Sequence, residues 1–446
     1  MNRHVRRTWA FVLAGSLAAL SFALVPIWAS GSWTAPVNLS SSTTYTEDAA
    51  AAVDSVGRVH VVWSEGGQIL HRYSAGGGWT GAVTVAAGWC PALVADAAGQ
   101  LHIVFVNRFA DIDEVYYKSW KAETGWQLPV NVSEGVGPAS SPNLVIDGDG
   151  GLAVVWSSAS GDADLIYVAT SADGALWSSW PVPNAWGTRP VVAVIADGQL
   201  AVAWQGPYDV TGSPLEVFFS EQSNALWTLP QDVSMSPESD SMIPSLAVGG
   251  GQLHLAWQEE TNSGQAVYHS VRIGSDWSSP QKRSAADEAF APVLAAKAGA
   301  VHMVWTTGGR VQYVARSDES GTWGSVEDVA VGQSGARDVS LAVGSGPHVV
   351  WLAEASPDND DAFHSAREAG PSPTSTVTAS ATPSATATTT PTWTYTPTAT
   401  RTTTATATAT STLTLQPSPT TTPTLTSEPV VSIYLPCIRA PVGLLP

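Results

Sequence analysis

Charge is scarce in this chain. Asp, Glu, Lys and Arg make up only 13% of 446 residues, and Lys and Arg together number 19 against 38 Asp and Glu. With a formal net charge of −19, the chain has no cationic footprint for DNA, RNA or an anionic membrane surface. Cysteine is nearly absent: Cys90 and Cys437 are the two it has, in segments of different character. Two cysteines cannot build a cysteine metal site or a disulfide framework. One disulfide between them stays open, although two unrelated single thiols are the expectation. Phenylalanine is also rare, with 8 Phe against 20 Trp.

A long uncharged run occurs at the start. Arg3, His4, Arg6 and Arg7 precede the apolar stretch Trp9–Val25, and Ala29 is a small residue suited to a cleavage site. Residues 1–30 therefore read as a signal peptide. An uncleaved signal anchor is the alternative, and would be the chain's only membrane contact. Either reading puts the remainder outside the cytoplasm, extracellular or at the cell surface. Losing the three arginines makes the mature chain still more acidic.

What the chain does have is a repeat. Gly251–Trp257, G-Q-L-H-L-A-W, returns as Gly57–Trp63, Gly99–Phe105, Gly150–Trp156, Gly198–Trp204, Gly299–Trp305 and Gly346–Trp351. The closing aromatics fall 42 to 53 residues apart, a period that marks a propeller or a solenoid. Each unit parses into four short strands. The first is a proline-led run (Pro91, Pro142, Pro190, Pro244, Pro292), read as a strand start where proline's missing N–H is tolerated. The second is the G-x-L-H-x-x-W strand. The third carries aromatics or His, among them Tyr73, Tyr117, Tyr167, Phe219, His269, Tyr313 and His364. The fourth opens with Trp: Trp79, Trp126, Trp177, Trp227, Trp277 and Trp323.

The seventh unit lacks that Trp. The missing piece stands at the other end, where Trp33–Ser40 (W-T-A-P-V-N-L-S) matches Trp126–Ser133 (W-Q-L-P-V-N-V-S). An N-terminal strand that completes the last unit closes a ring and leaves no long exposed sheet edge. The expected fold is all-β, a seven-bladed propeller over residues 31–369. Residues 370–429 are Thr-, Pro-, Ser- and Ala-rich and predict a disordered, solvated stalk. Residues 430–446 form a short hydrophobic tail, too short to span a membrane.

Five His share one repeat column: His60, His102, His254, His302 and His348. Equivalent positions radiate around a ring and do not converge, so packed, neutral, hydrogen-bonded imidazoles are expected. The glycosylation-like Asn38-Leu39-Ser40 and Asn131-Val132-Ser133 fill a repeat slot taken elsewhere by Asp232-Val233-Ser234, which the repeat explains better.

The segments Ser119…Trp126, Ser171-Ala172-Asp173-Gly174-Ala175-Leu176-Trp177, Ser220…Trp227 and Ser270…Gly274…Trp277 resemble degraded Asp-boxes. That turn motif belongs to sialidase-like, or BNR-repeat, propellers, and with the second strands the resemblance spans about residues 31–369. WD pairs and fixed-slot Gly-Gly doublets, the marks of other propellers, are absent. The resemblance implies an arginine cluster, a Tyr–Glu nucleophile pair and an Asp acid. The F-R-I-P-like segment that carries the family's first arginine is missing here. Arg108, Arg189 and Arg337 are the arginines whose loops open on one mouth of the ring, and they would be the catalytic ones if the enzyme resemblance held.

The same mouth collects Tyr45, Glu47, Asp48, Trp89, Asp111, Asp113, Asp162, Asp164, Trp186, Tyr208, Asp240, Glu288, Phe290, Asp358, Asp360 and Asp361. Aromatics beside carboxylates suit sugar stacking with hydroxyl hydrogen bonds, or oxygen ligation of Ca²⁺. A solvated acidic rim that keeps an exported protein soluble accounts for the same carboxylates. Trp89, Trp186, Phe290, Tyr45, Arg189 and Arg337 are the candidate ligand-binding residues, with no metal or cofactor assigned. The rim carboxylates are expected to titrate as ordinary acids in polar loops. The sequence thus predicts a monomeric head that binds a glycan or a surface protein without catalysis. A sialidase-like hydrolase or lyase is the alternative, and a structural spacer the second.

Overall fold

A computed structural model describes residues 31–368, apart from 161–162, 196–197, 209–213, 224–225, 286, 298, 330–334 and 357–358. The expected signal segment, stalk and tail lie outside the described residues, as do Asp162, Asp358 and Cys437. Seven antiparallel sheets of four or five strands follow one another along the chain, with no α-helix among the described residues. They are the seven blades of a β-propeller, each running outward from an inner strand. In blade 5 the order is Ser241–Gly249, Gln252–Thr261, Gly264–Ile273 and the short outer pieces Asp276–Trp277 and Gln281–Lys282.

Both faces of the second strand are buried because each blade lies between two others. Trp63, Trp156, Trp204, Trp257, Trp305 and Trp351 are fully buried. Four of these rings lie nearly parallel to a third-strand aromatic of their own blade, as Trp156 does on Tyr167 at 5.6 Å. The outer-strand tryptophans instead reach the preceding blade. Trp79 meets His364 edge-on at 5.0 Å, Trp277 meets Phe219 at 5.0 Å, and Trp323 meets His269 at 5.0 Å. Edge-to-face geometry of this kind adds to area burial.

Closure is supplied by the N-terminus. Val37–Asn38 pairs with Phe363–His364 of the last blade, and Trp33 bridges to Arg367. Trp33 also meets Tyr313 of blade 6 edge-on at 5.1 Å, the same contact that Trp79, Trp277 and Trp323 make. Leu39 is fully buried, and Asp361 accepts hydrogen bonds from Asn38 Nδ2 (2.6 Å), Ser40 Oγ (2.8 Å) and the Ser42 amide (2.9 Å). The Asn38 and Asn131 amides are both turned to carboxylates, Asn131 to Glu114 at 2.7 Å.

The histidine column is structural. His60 Nδ1 lies 3.1 Å from His71, His254 Nδ1 3.1 Å from His269, and His348 Nδ1 3.2 Å from His364. His102 and His302 pair with Tyr117 (2.7 Å) and Tyr313 (2.6 Å). Burial pushes His60, His254, His302 and His348 down to about 4, so each packs neutral.

One expectation is corrected. The repeat prolines do not start their strands; each lies two or three residues inside an inner strand such as Trp89–Ala95 or Ala289–Lys297. There the ladder breaks register, between Trp89 and Ala92 or between Phe290 and Val293. All seven inner strands carry this bulge at the same position. A bulged residue needs no ladder partner, which is why proline is accepted.

Candidate functional site at the channel mouth

The bulge builds the site. The residue just before each proline, or its counterpart, adopts a positive φ: Asp48 (46°), Cys90 (53°), Ser141 (51°), Arg189 (54°), Ile243 (55°), Ala291 (55°) and Asp338 (47°). One such residue per blade forms a ring around the channel near the end where blades are joined. Left-handed backbone in a β-branched residue such as Ile243 is uncommon and costly. Repetition in seven blades makes the conformation a device of the fold; side-chain chemistry distinguishes the positions. Side-chain and amide hydrogen bonds stitch the ring across blades, as from the Cys90 amide to Asp48 (3.2 Å), the Ile243 amide to Gln205 (2.8 Å) and the Ala291 amide to Gln258 (3.2 Å).

Blades 7 and 1 make its polar arc. Arg337 donates from Nη2 to the Tyr45 hydroxyl at 2.7 Å, and its guanidinium lies 5.4 Å from the centre of the Tyr45 ring. The same guanidinium is ion-paired with Asp360 and lies 3.9 Å from Asp338. Asp48 is buried and accepts from Ser64 Oγ (3.1 Å) as well as from the Cys90 amide. Desolvation pushes its carboxyl up to about 6, with Asp338 and Glu47 adding to the rise. Asp338 is raised by the same burial, against the pull of Arg337 and then Arg189. Asp164, at the foot of the segment leading to Trp186, is also raised by desolvation.

The expectation of ordinary acids in solvated loops therefore fails at Asp48 and Asp164, and Asp338 is raised beside them. Ring closure sets Asp48 between blades 1 and 2, where it is buried against the Cys90 amide, while Asp164 and Asp338 are half-buried. Asp338 does not stand out in the sequence; its slot before the register break, equivalent to Asp48, is the signal that marks it.

The candidate residues divide. Tyr45, Arg337 and Arg189 belong to one electrostatic group centred on Asp338. Trp186 and Phe290 are exposed, at 57% and 38%, each at or next to a bulge. Trp89 is half-buried and packs against Cys90 and Val106. Arg108 is not brought in: it stands at the tip of the hairpin Leu101–Phe109 and Ile112–Lys121, where Asp113 takes its Nε and Nη2 at 2.6 and 2.8 Å. Gly187 joins Trp186 to the ring at φ 146°, and a Cβ there would lie 2.0 Å from the Gln205 carbonyl oxygen.

Cys90 departs from expectation. It is buried and disulfide-bonded, and no described cysteine is free. The reading of two unrelated thiols is overturned for this residue.

No protein-family model matches this sequence, and no curated protein matches it. Solved structures do. The chain is similar to a family-25 polysaccharide lyase, an ulvan lyase bound to -[GlcA(1-4)Rha3S]-, at 11% identity over 72% of this chain and 94% of that one, with a TM-score of 0.52. The ligand-free ulvan lyase matches over the same shares at 11% identity and a TM-score of 0.50. The propeller domain of the trilobed protease of Pyrococcus furiosus matches at 12% identity over 72% of this chain and 95% of that one, with a TM-score of 0.46. At these identities the similarity is one of fold: a β-propeller.

Proposed function

We propose that the channel mouth binds a neutral glycan and does not transform it. The observation that carries this reading is the prior pairing of the polar arc beside exposed aromatics. Arg337 already holds Asp360, Asp338 and Tyr45. A free guanidinium would favour an anionic ligand; a matched arginine–carboxylate set offers donors and acceptors to hydroxyl groups without needing ligand charge. The net charge of −19 also opposes anionic polymers. Trp186 and Phe290 supply faces on which a pyranose ring stacks. The sialidase-like repeat resemblance, and a fold shared with a polysaccharide lyase, agree with a carbohydrate ligand.

A second reading, a glycoside hydrolase or lyase, is favoured by Asp48. A carboxyl held at about 6 is the kind of group that serves as a general acid near neutral pH.

The test is a glycan array probed with the full exported chain, followed by titration calorimetry with the best oligosaccharide. Trp186→Ala and Arg337→Gln are each expected to weaken binding about tenfold, the scale of one lost stacking or charge-assisted contact. Products from the bound oligosaccharide, abolished by Asp48→Asn, would overturn binding in favour of catalysis. Failure of every glycan on the array would overturn both.

A further inference from the structure

We propose that a groove between blades 3 and 4, on the face opposite the channel mouth, is a second binding site, for a neutral oligosaccharide. Its volume is about 960 Å³, and its walls include Trp180, Leu176 and Asp147 from blade 3 and Trp227, Leu226 and Gln222 from blade 4. That size is at the upper end for a cleft that takes one ligand, about 300–1,000 Å³. The groove opens among the turns 147–151 and 171–178, which join first to second and third to fourth strands. The mouth lies at the other end of these strands and shares no residue with it.

Several positions of the repeat change together here. In blade 1, Asp54 closes the inner turn: its Oδ1 accepts from the Val56 and Arg58 amides, and its Oδ2 from Arg58 Nε at 2.6 Å, with His60 Nε2 at 3.2 Å. Asp147 closes the same turn in blade 3, its Oδ1 accepting from the Asp149 and Gly151 amides at 2.9 and 2.7 Å. Yet Gly151 stands where blade 1 has Arg58, and Ala153 where it has His60. The Oδ2 of Asp147 is therefore left without the cation and the imidazole that hold its counterpart.

The third-strand ring is missing too. Val168, opposite Val155, takes the place held in the other blades by His71, Tyr117, Phe219, His269, Tyr313 and His364. Each of those six rings meets an outer-strand tryptophan of the next blade edge-on. Trp227 instead packs, half-buried, on an aliphatic cluster that contains Val168, Val182 and Leu200. Blade 4 also lacks the imidazole, with Ala201, but keeps its ring in Phe219. Finally, Trp180 fills the outer-strand slot that is proline in four other blades, at Pro36, Pro129, Pro230 and Pro280.

Close packing penalises an unfilled volume, so a merely structural change would have refilled the space with larger side chains. Here the space is open to solvent, a carboxylate is uncovered beside it and an indole is added to its wall. Trp180 and Trp227 offer faces to pyranose rings, and Asp147 Oδ2 accepts from a hydroxyl. Gln222, whose Oε1 is held by the Leu200 amide at 3.2 Å, has its NH₂ to donate. The described lining residues include Asp147 and Asp149 and no Lys, Arg or His, which disfavours an anionic sugar.

The experiment uses the full exported chain with cellohexaose, xylohexaose and mannohexaose as probes, read by titration calorimetry and hydrogen exchange. At least one hexasaccharide is expected to slow exchange about threefold or more in segments 171–180 and 226–228. Trp180→Ala should weaken that binding about tenfold. Ala153→His with Val168→Tyr restores the repeat's ring pair and fills the groove without deleting a wall residue. This variant should keep the parent's thermal midpoint or exceed it, and lose protection at the groove. Undiminished groove binding in both variants overturns the proposal, as does the absence of groove protection with all three sugars. Protection confined to 41–50 and 186–190, and lost in Arg337→Gln, places the sugar at the mouth alone and also overturns it. Groove protection that survives Arg337→Gln, with none at the mouth, upholds this site and removes the mouth reading.

Discussion

The two arcs of the mouth ring share one backbone and differ in chemistry. In blades 5 and 6 the paired positions are Met242-Ile243 and Phe290-Ala291; in blades 7 and 1 they are Arg337-Asp338 and Glu47-Asp48. The bulge and the positive φ recur in both. The polar arc also coincides with the seam where the first strand closes the last blade. Asp360 pairs with Arg337 in the mouth, while Asp361, the next residue, holds Asn38, Ser40 and Ser42. The ionisable groups are thus placed at the one joint of the ring made by residues far apart in sequence, and the apolar arc, formed within a continuous stretch, carries aliphatic side chains and the exposed Phe290 ring.

Removing the seam is the strongest way to break this comparison. Deletion of residues 31–40 takes away the Leu39 side chain, the partners of Asp361 and the Trp33 contact with Tyr313. Burial of one leucine alone is worth about 2–5 kcal/mol, so a loss beyond that is expected in chemical denaturation. Hydrogen exchange should rise first in Asn359–Ala366 and Thr46–Val53, and least in Ala289–Lys297. A uniform rise, or an unchanged midpoint, would deny that the two arcs differ in how they are held.

Next in size is Gly187→Ala. The added carbon would lie 2.0 Å from the Gln205 carbonyl oxygen and 2.8 Å from Gly206 Cα, at a φ of 146°. A loss of about 3 kcal/mol is expected in thermal or urea unfolding, together with displacement of Trp186 and Arg189. A variant as stable as the parent would show that the bulge tolerates rearrangement.

Titration separates buried histidines from the buried acid by sign. His60, His254, His302 and His348 fall to about 4 in the fold, below the unfolded value near 6.5. Their contribution is present above pH 6.5 and is lost as pH falls from there through about 4, by at most about 1.4 kcal/mol per pH unit per histidine. Asp48 is raised from 3.8 to about 6, so its cost is absent below 3.8 and appears as pH rises through 6. Asp48→Asn is therefore expected to stabilise the protein by about 1–2 kcal/mol at pH 8 and to change nothing at pH 3.5. Equal effects at both pH values would mean that Asp48 is not held desolvated.

The smallest change is expected in the apolar arc. Ala291 is 5% exposed at φ 55°; Ala291→Gly relieves the backbone but loses a buried methyl group, so the net change should stay within about 1 kcal/mol. A larger loss in the unfolding midpoint would assign the ring methyl a packing role that the positive φ conceals.

How much of this was legible in the chain follows from range. The G-x-L-H-x-x-W strands, the outer tryptophans and the closing match between Trp33–Ser40 and Trp126–Ser133 are local patterns repeated seven times, and the blades form where those patterns stand. That the column histidines are packed and hydrogen-bonded was equally readable; that each one's partner is a third-strand ring of its own blade came from the structure. Tyr45, Arg189 and Arg337 were recognisable as mouth residues from their loops, but Arg108 was not separable from them by the same rule. Tertiary structure alone decided the register breaks at the prolines, the burial of Asp48, the partial desolvation of Asp338, and the disulfide state of Cys90. These depend on several blades meeting around one axis. A carboxylate's desolvation is set by its neighbours across that axis, and no single repeat contains them.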